Sequence, residues 1–261
     1  MSEDFASRYT LANIPRNAAP YQTVRFLDWL ERLKSVGMRH DIALGVMVAI
    51  LTGQRRGDAA SNLFKHVTAV QNDEIVKELF VAVREAIAIA SPFVGLPNTM
   101  PANFGIIAVL KDRGIASIES KSRANFAKED YEKIGHTTSQ AIYRGVGNKE
   151  VGQMLAQYMP DFSTYNTFSI FGYLCGGSTV FSLAEVETIV VSAIIGLGAT
   201  RQARSHTKAA MQLGISVEIL STIDAVAQQI AAWNKTPLPE VLDLAQLRNE
   251  LSSELEKLAT C

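Results

Sequence analysis

Two cysteines in 261 residues leave little room for thiol or metal chemistry. Cys175 and Cys261 lie far apart, and neither has a CxxC or Cys/His spacing around it. A disulfide framework, a zinc site and a vicinal dithiol are therefore not expected, and the predicted compartment is reducing. Charge is also nearly absent as a net quantity. Lys and Arg number 25 against 26 Asp and Glu, giving a formal charge of −1. That balance gives no electrostatic reason to expect nucleic acid or an anionic membrane as partner. Apolar runs stay short. Those around 42–51 and 189–197 fall well below the length that spans a bilayer. The opening MSEDFASRYT has early acids and no apolar core, so it does not read as a signal peptide. The closing ATC is not a targeting address, and the expected location is the cytoplasm. No P-loop or GxGxxG precedes a helix in a strand context. Strand signals are scarce too, whereas a 3.6-residue period recurs along the chain.

The fold class expected is all-α. Helices are predicted over about 23–36, 40–51 and 57–70, and a long one capped by Asn72 and ended by Ser91-Pro92. Another runs over about 101–111. Residues 114–147 are the most polar stretch and read as a connection, with short helices near 123–133 and 138–143. A helix at 149–158 is predicted to stop at Pro160, and one over 161–174 to break at Gly176-Gly177. Ser182 and Glu185 form a capping box, S-x-x-E, that starts a helix to about Ile195. The next helix covers 199–213, and Ser216 caps a third ending near Trp233. Leu244, Leu247, Leu251, Leu255 and Leu258 then stripe a final amphipathic helix. The halves repeat in outline. The run 41–70 reads helix, glycine break, then a helix with His66; 186–214 repeats that order with His206. The expected organisation is an N-terminal half at 1–115, a connector at 116–147 and a C-terminal half at 148–261.

Residues 182–214, SLAEVETIVVSAIIGLGATRQARSHTKAAMQLG, carry the most information. An acid-led helix, a glycine break and a helix bearing one histidine resemble the signature of the carboxymuconolactone decarboxylase and alkyl hydroperoxidase D superfamily. The resemblance covers most of 41–114 and 147–244, and GATRQARSHTKAAMQLG is its specific part. It implies an alkyl hydroperoxidase D-like helical bundle, here as two degenerate tandem repeats. The redox branch of that family has CxxC before the histidine. The corresponding positions are about Ala199 and Gln202, so thiol peroxidase chemistry is not expected. The chain reads instead as a decarboxylase-like enzyme, a lyase or an isomerase. It would act without a cofactor or metal, by proton transfer on a small carboxylated or lactone-type metabolite. The alternative is a non-catalytic oligomeric binding protein that kept the fold. The family forms trimers and hexamers, so a homo-oligomer, a trimer or a dimer, is expected.

His206 is the first catalytic candidate, because an imidazole titrates near pH 6.5 and can both take and give a proton. The resemblance implies a glutamate relay partner near Glu185 or Glu187. Glu185 already has a structural use in the capping box. Glu187 has none, and Val186, Ile189, Val190 and Val191 around it mark a helix buried on most sides. Arg201, about 140° around the helix from His206 at 100° per residue, is the candidate to hold a substrate carboxylate. In YNTFSIFGYLCGG the aromatics Tyr165, Phe168 and Tyr173 are candidates to line an apolar pocket. Arg55 and Arg56 could bind an anion at a helix N-terminus.

Overall fold

A computed structural model describes residues 7–11, 14–147 and 149–260. Its described residues form helices and no strand. In chain order these are α1 (Ser7–Leu11, one π-helical turn), α2 (Thr23–Ser35), α3 (His40–Gly53), α4 (Gly57–Thr68), α5 (Asp73–Val94) and α6 (Leu96–Asp112). Then come α7 (Tyr131–Tyr143), α8 (Lys149–Tyr158), α9 (Pro160–Tyr165) and a π-helix (Asn166–Gly176). The last four are α10 (Leu183–Leu197), α11 (Thr200–Gln212), α12 (Val217–Trp233) and α13 (Leu244–Ala259). Among the described residues no helix is long and apolar enough to cross a membrane.

Helices α3 and α10 form the centre. Both are apolar on nearly every face, and a helix of that kind has to be enclosed; all of α3 from Ile42 to Gly53 is buried, as is α10 from Val186 to Gly196. Small residues set their separation. A Cβ on Gly53 would stand 2.7 Å from the Ala193 carbonyl, and one on Gly196 would stand 2.7 Å from the Ile50 carbonyl. The contact is reciprocal, because one offset of 143 relates Gly53 to Gly196 and Ile50 to Ala193. Gly45 faces Ile189 further back, so the two helices run side by side in the same sense. Helix α5 packs on both, and one hydrophobic core spans the two halves.

Several boundaries depart from the sequence reading. Pro92 does not end its helix; α5 continues to Val94 with the proline inside its last turn. Proline cannot donate to the Ala88 carbonyl, and the Ser91 hydroxyl takes that acceptor instead, at 2.8 Å. Gly95, at φ 88°, makes the break, and α6 starts at Leu96, earlier than expected. Pro160 likewise opens a helix as well as closing one. No helix forms over 123–130. There the guanidinium of buried Arg123 grips both carboxylate oxygens of Glu85, at 2.6 and 2.8 Å, and the carbonyls of Tyr173 and Leu174. Asp130 caps a single helix that runs to Tyr143. The region expected to be a connector is therefore structural. Gly135 of α7 and Gly172 of the π-helix let those two backbones touch: a Cβ on either would stand within 2.0 Å of a carbonyl oxygen of the other. The leucine stripe of α13 packs on its own chain, with Leu247 and Leu251 buried and Glu250 bonded to Arg204 and Lys208 of α11.

Candidate functional site

Helix α10 buries three polar side chains in its middle: Glu187, Thr188 and Ser192. Thr188 and Ser192 satisfy themselves on backbone carbonyls one turn back, at 2.8 and 2.6 Å. Glu187 cannot, because a carboxylate only accepts. It is fully enclosed and needs a donor from another helix. His206 of α11 supplies one: its Nδ1 lies 2.6 Å from Glu187 Oε1. The glycine break makes this meeting possible. Gly198 adopts the left-handed conformation, φ 76°, and folds α11 back onto α10.

With an ionised Glu187 as acceptor, the shared proton sits on Nδ1 and Nε2 becomes the free acceptor of the ring. The Tyr143 hydroxyl stands 3.3 Å from that Nε2. Burial pushes the Tyr143 phenol far above its usual range, and the charge of Glu187 and then Cys175 add to the effect. Tyr143 is thus held as an O–H donor. Phe93 closes the set with a perpendicular ring contact to His206 at 5.6 Å. Glu187 Oε2 has no partner among the described residues, so there this carboxylate is only half satisfied. Breaking such a buried pair costs about 3–5 kcal/mol.

The pair opens on a cavity of about 1110 Å³. His206, Tyr143 and Phe93 form its inner wall; Ala199, Gln202 and Ser205 form the α11 edge. Ala199 and Gln202, flanking the start of α11, therefore both face this space. Among the described residues that line it, none carries a carboxylate, and Arg144 and Arg201 carry guanidinium groups. Both arginines are exposed, and neither has an ion-pair partner among the described residues.

The other expected site residues are placed differently. Glu185 is in the capping box: its Oε2 accepts from the Ser182 backbone N–H at 2.8 Å, and its Oε1 accepts from Arg39 at 2.6 Å. The capping role and an arginine outside the cavity account for it, and Glu187 is the acid that meets the histidine. Arg201 lines the cavity. Tyr165, Phe168 and Tyr173 do not line it. Tyr165 is exposed against Phe162, while Phe168 and Tyr173 stack on Phe126 at 5.8 and 4.2 Å. The cause is the π-helix. Its i→i+5 bonding widens the turn and regroups the faces, so Asn166, Thr167, Ile170 and Phe171 face the cavity. No feature of the sequence around Tyr143 signalled its role, since it lies 63 residues before His206.

His66 is exposed, held by Thr23 and the Asn62 carbonyl, and stacked on Tyr21. Arg56 is not an anion site. Its guanidinium is buried, bonded to Asp58, Asn234 and the Ala19 carbonyl, and lies over the Trp233 ring. Cys175 is buried, and burial first and the charge of Glu187 second push its thiol well up, so it is unreactive. Among the described residues no group of three or more His, Cys, Asp or Glu could hold a metal ion.

No family model matches the chain. A stretch of 93 residues, 36% of this chain, is 24% identical to Peroxisomal protein 2 of Saccharomyces cerevisiae. The match covers 32% of that protein, so the chain spans about a third of the length of this curated relative.

Proposed function

We propose that the protein is a cofactor-independent lyase or isomerase of the decarboxylase-like kind, moving a proton on a carboxylated or lactone-type metabolite. The observation that carries the reading is the Tyr143–His206–Glu187 chain of hydrogen bonds, closed to bulk water on one side and facing a cavity on the other. In a decarboxylation the bond from the substrate carbon to its carboxylate breaks and carbon dioxide leaves. The bonding electron pair stays on the carbon as an enolate. His206, having taken a proton at Nε2 from water in the cavity, delivers it to that carbon and returns to the neutral ring, and the Glu187 carboxylate stabilises the imidazolium while it lasts. Arg201 and Arg144 offer cations to the substrate's carboxylate or to the enolate oxygen. An isomerisation uses the same groups, removing a proton from one carbon and returning it to another.

The reciprocal Gly53–Gly196 contact supports a reading of the two halves as degenerate copies. At the same offset Leu44 matches Glu187 and Leu63 matches His206, and both leucines are fully buried. The N-terminal copy then holds no acid–imidazole pair, and His66 falls three positions past the matching site. Self-association, as a trimer or a dimer, fits the exposed Met154 and Tyr158 of α8 and Met159 just after it.

The test is proton NMR in D₂O on a panel of β-keto acids and carboxylated lactones. Substrate should lose its carboxylate or take up deuterium at carbon, and His206→Gln should abolish either signal. Binding without turnover or exchange in any panel member would instead favour a binding protein.

A further inference from the structure

The cavity is too large for the compact acid that the reaction chemistry alone requires. At about 1110 Å³ it exceeds the ~300–1,000 Å³ that encloses a drug-sized ligand. Away from His206 its walls carry more apolar than polar surface, with Ser139, Gln140, Ser163, Asn166 and Thr167 as the polar part. The π-helix contributes Ile170 and Phe171, and α10 contributes Ile194 and Leu197. Val151 and Leu155 of α8, with Leu258 of α13, extend the lining beyond the proton-transfer groups. Its charged groups are the two guanidinium groups of Arg144 and Arg201. Two guanidinium groups and a largely apolar lining in one large cavity fit an anion with a hydrocarbon tail.

We infer that the cavity takes an amphiphilic acid, a straight acyl chain bearing a single carboxylate. The inference rests on the proposed reading of this cavity as the substrate site and names the class of molecule that fills it. The carboxylate meets the arginines, and the chain lies along the π-helix and α8. Gly152 offers a way to probe the α8 wall. It lines the cavity, and a Cβ there would meet nothing within 4 Å. A large side chain at 152 enters open space, and replacing a helical glycine removes a destabilising residue.

Isothermal titration calorimetry with butanoate to dodecanoate, each kept below its micellar concentration, tests the proposal. Affinity should rise by up to about fourfold per added methylene. Methyl dodecanoate, which lacks the charge, should bind about tenfold more weakly or worse. Gly152→Trp should flatten the dependence on chain length while its far-UV circular dichroism melt stays at or above that of the parent. Affinity independent of chain length, or equal affinity for the methyl ester, overturns the proposal. Flotation with phosphatidylcholine vesicles and no calorimetric signal from the acids would assign the apolar walls to a membrane surface, and also overturns it. The titration is separate from turnover. A steep chain-length dependence without decarboxylation or exchange keeps the acyl site and sinks the proton-transfer reading. Turnover of compact lactone acids with flat chain-length dependence does the reverse.

Discussion

Replacing His206 alone should harm the protein more than replacing His206 and Glu187 together. His206→Leu removes the one donor to a carboxylate that has no exposed surface and an already unpartnered second oxygen. Leaving such a charge without its partner costs about 3–5 kcal/mol. Adding Glu187→Leu removes the orphaned charge. Exchanging a buried ion pair for apolar side chains of similar volume is often neutral or stabilising by about 1–4 kcal/mol. The double variant should therefore recover at least half of the loss, to within about 1–2 kcal/mol of the parent. Urea unfolding of all four proteins, followed by circular dichroism at 222 nm, yields the coupling energy. Its failure is simple to recognise. If the two single losses add within about 0.5 kcal/mol, the side chains do not act as a unit and the paired geometry carries no energetic weight.

Tyr143→Phe, which deletes the hydroxyl 3.3 Å from His206 Nε2, should lower kcat on any turned-over substrate by about tenfold, with stability changed by less than about 1 kcal/mol; unaltered kcat would remove Tyr143 from the proton path. Gly53→Ala and Gly196→Ala should each cost about 1–3 kcal/mol, because the new methyl meets backbone at 2.7 Å. Gly152→Ala is the matched control and should gain about 0.5–1 kcal/mol; denaturant midpoints compare the three. Asp224 is buried, with one oxygen unpartnered and the other accepting from the Leu242 N–H at 3.3 Å. Burial raises its carboxyl, so the folded state resists ionisation and loses stability as pH climbs above the ordinary value of 3.8. Asp224→Asn should therefore have a Tm about 2–4 °C higher at pH 7, a gap that closes toward pH 4; differential scanning calorimetry at both pH values checks the sign.

Features settled within one helical turn were legible in the chain itself. The Ser182–Glu185 capping box, the caps at Asn72 and Ser216, and the glycine stops at Gly37, Gly198 and Gly214 all sit where local rules put them. Each depends on bonds or backbone angles among neighbours in sequence. The same locality explains how Glu187 and His206 could be nominated, as a charge in an apolar run and a titratable ring beyond a glycine. Tertiary structure decided everything that required a distant partner. The capping box already set Glu185 aside; the fold of α11 onto α10 is what brings the enclosed Glu187 carboxylate a donor, His206, while Glu185 stays with Ser182 and Arg39. Arg123 overrode the helix expected near it by reaching Glu85 and two carbonyls at the end of the π-helix. The widened turn there moved Phe168 and Tyr173 off the cavity and brought Ile170 and Phe171 onto it. Period and caps are short-range physics; the partner of a buried charge, and the face a side chain finally presents, belong to the packing.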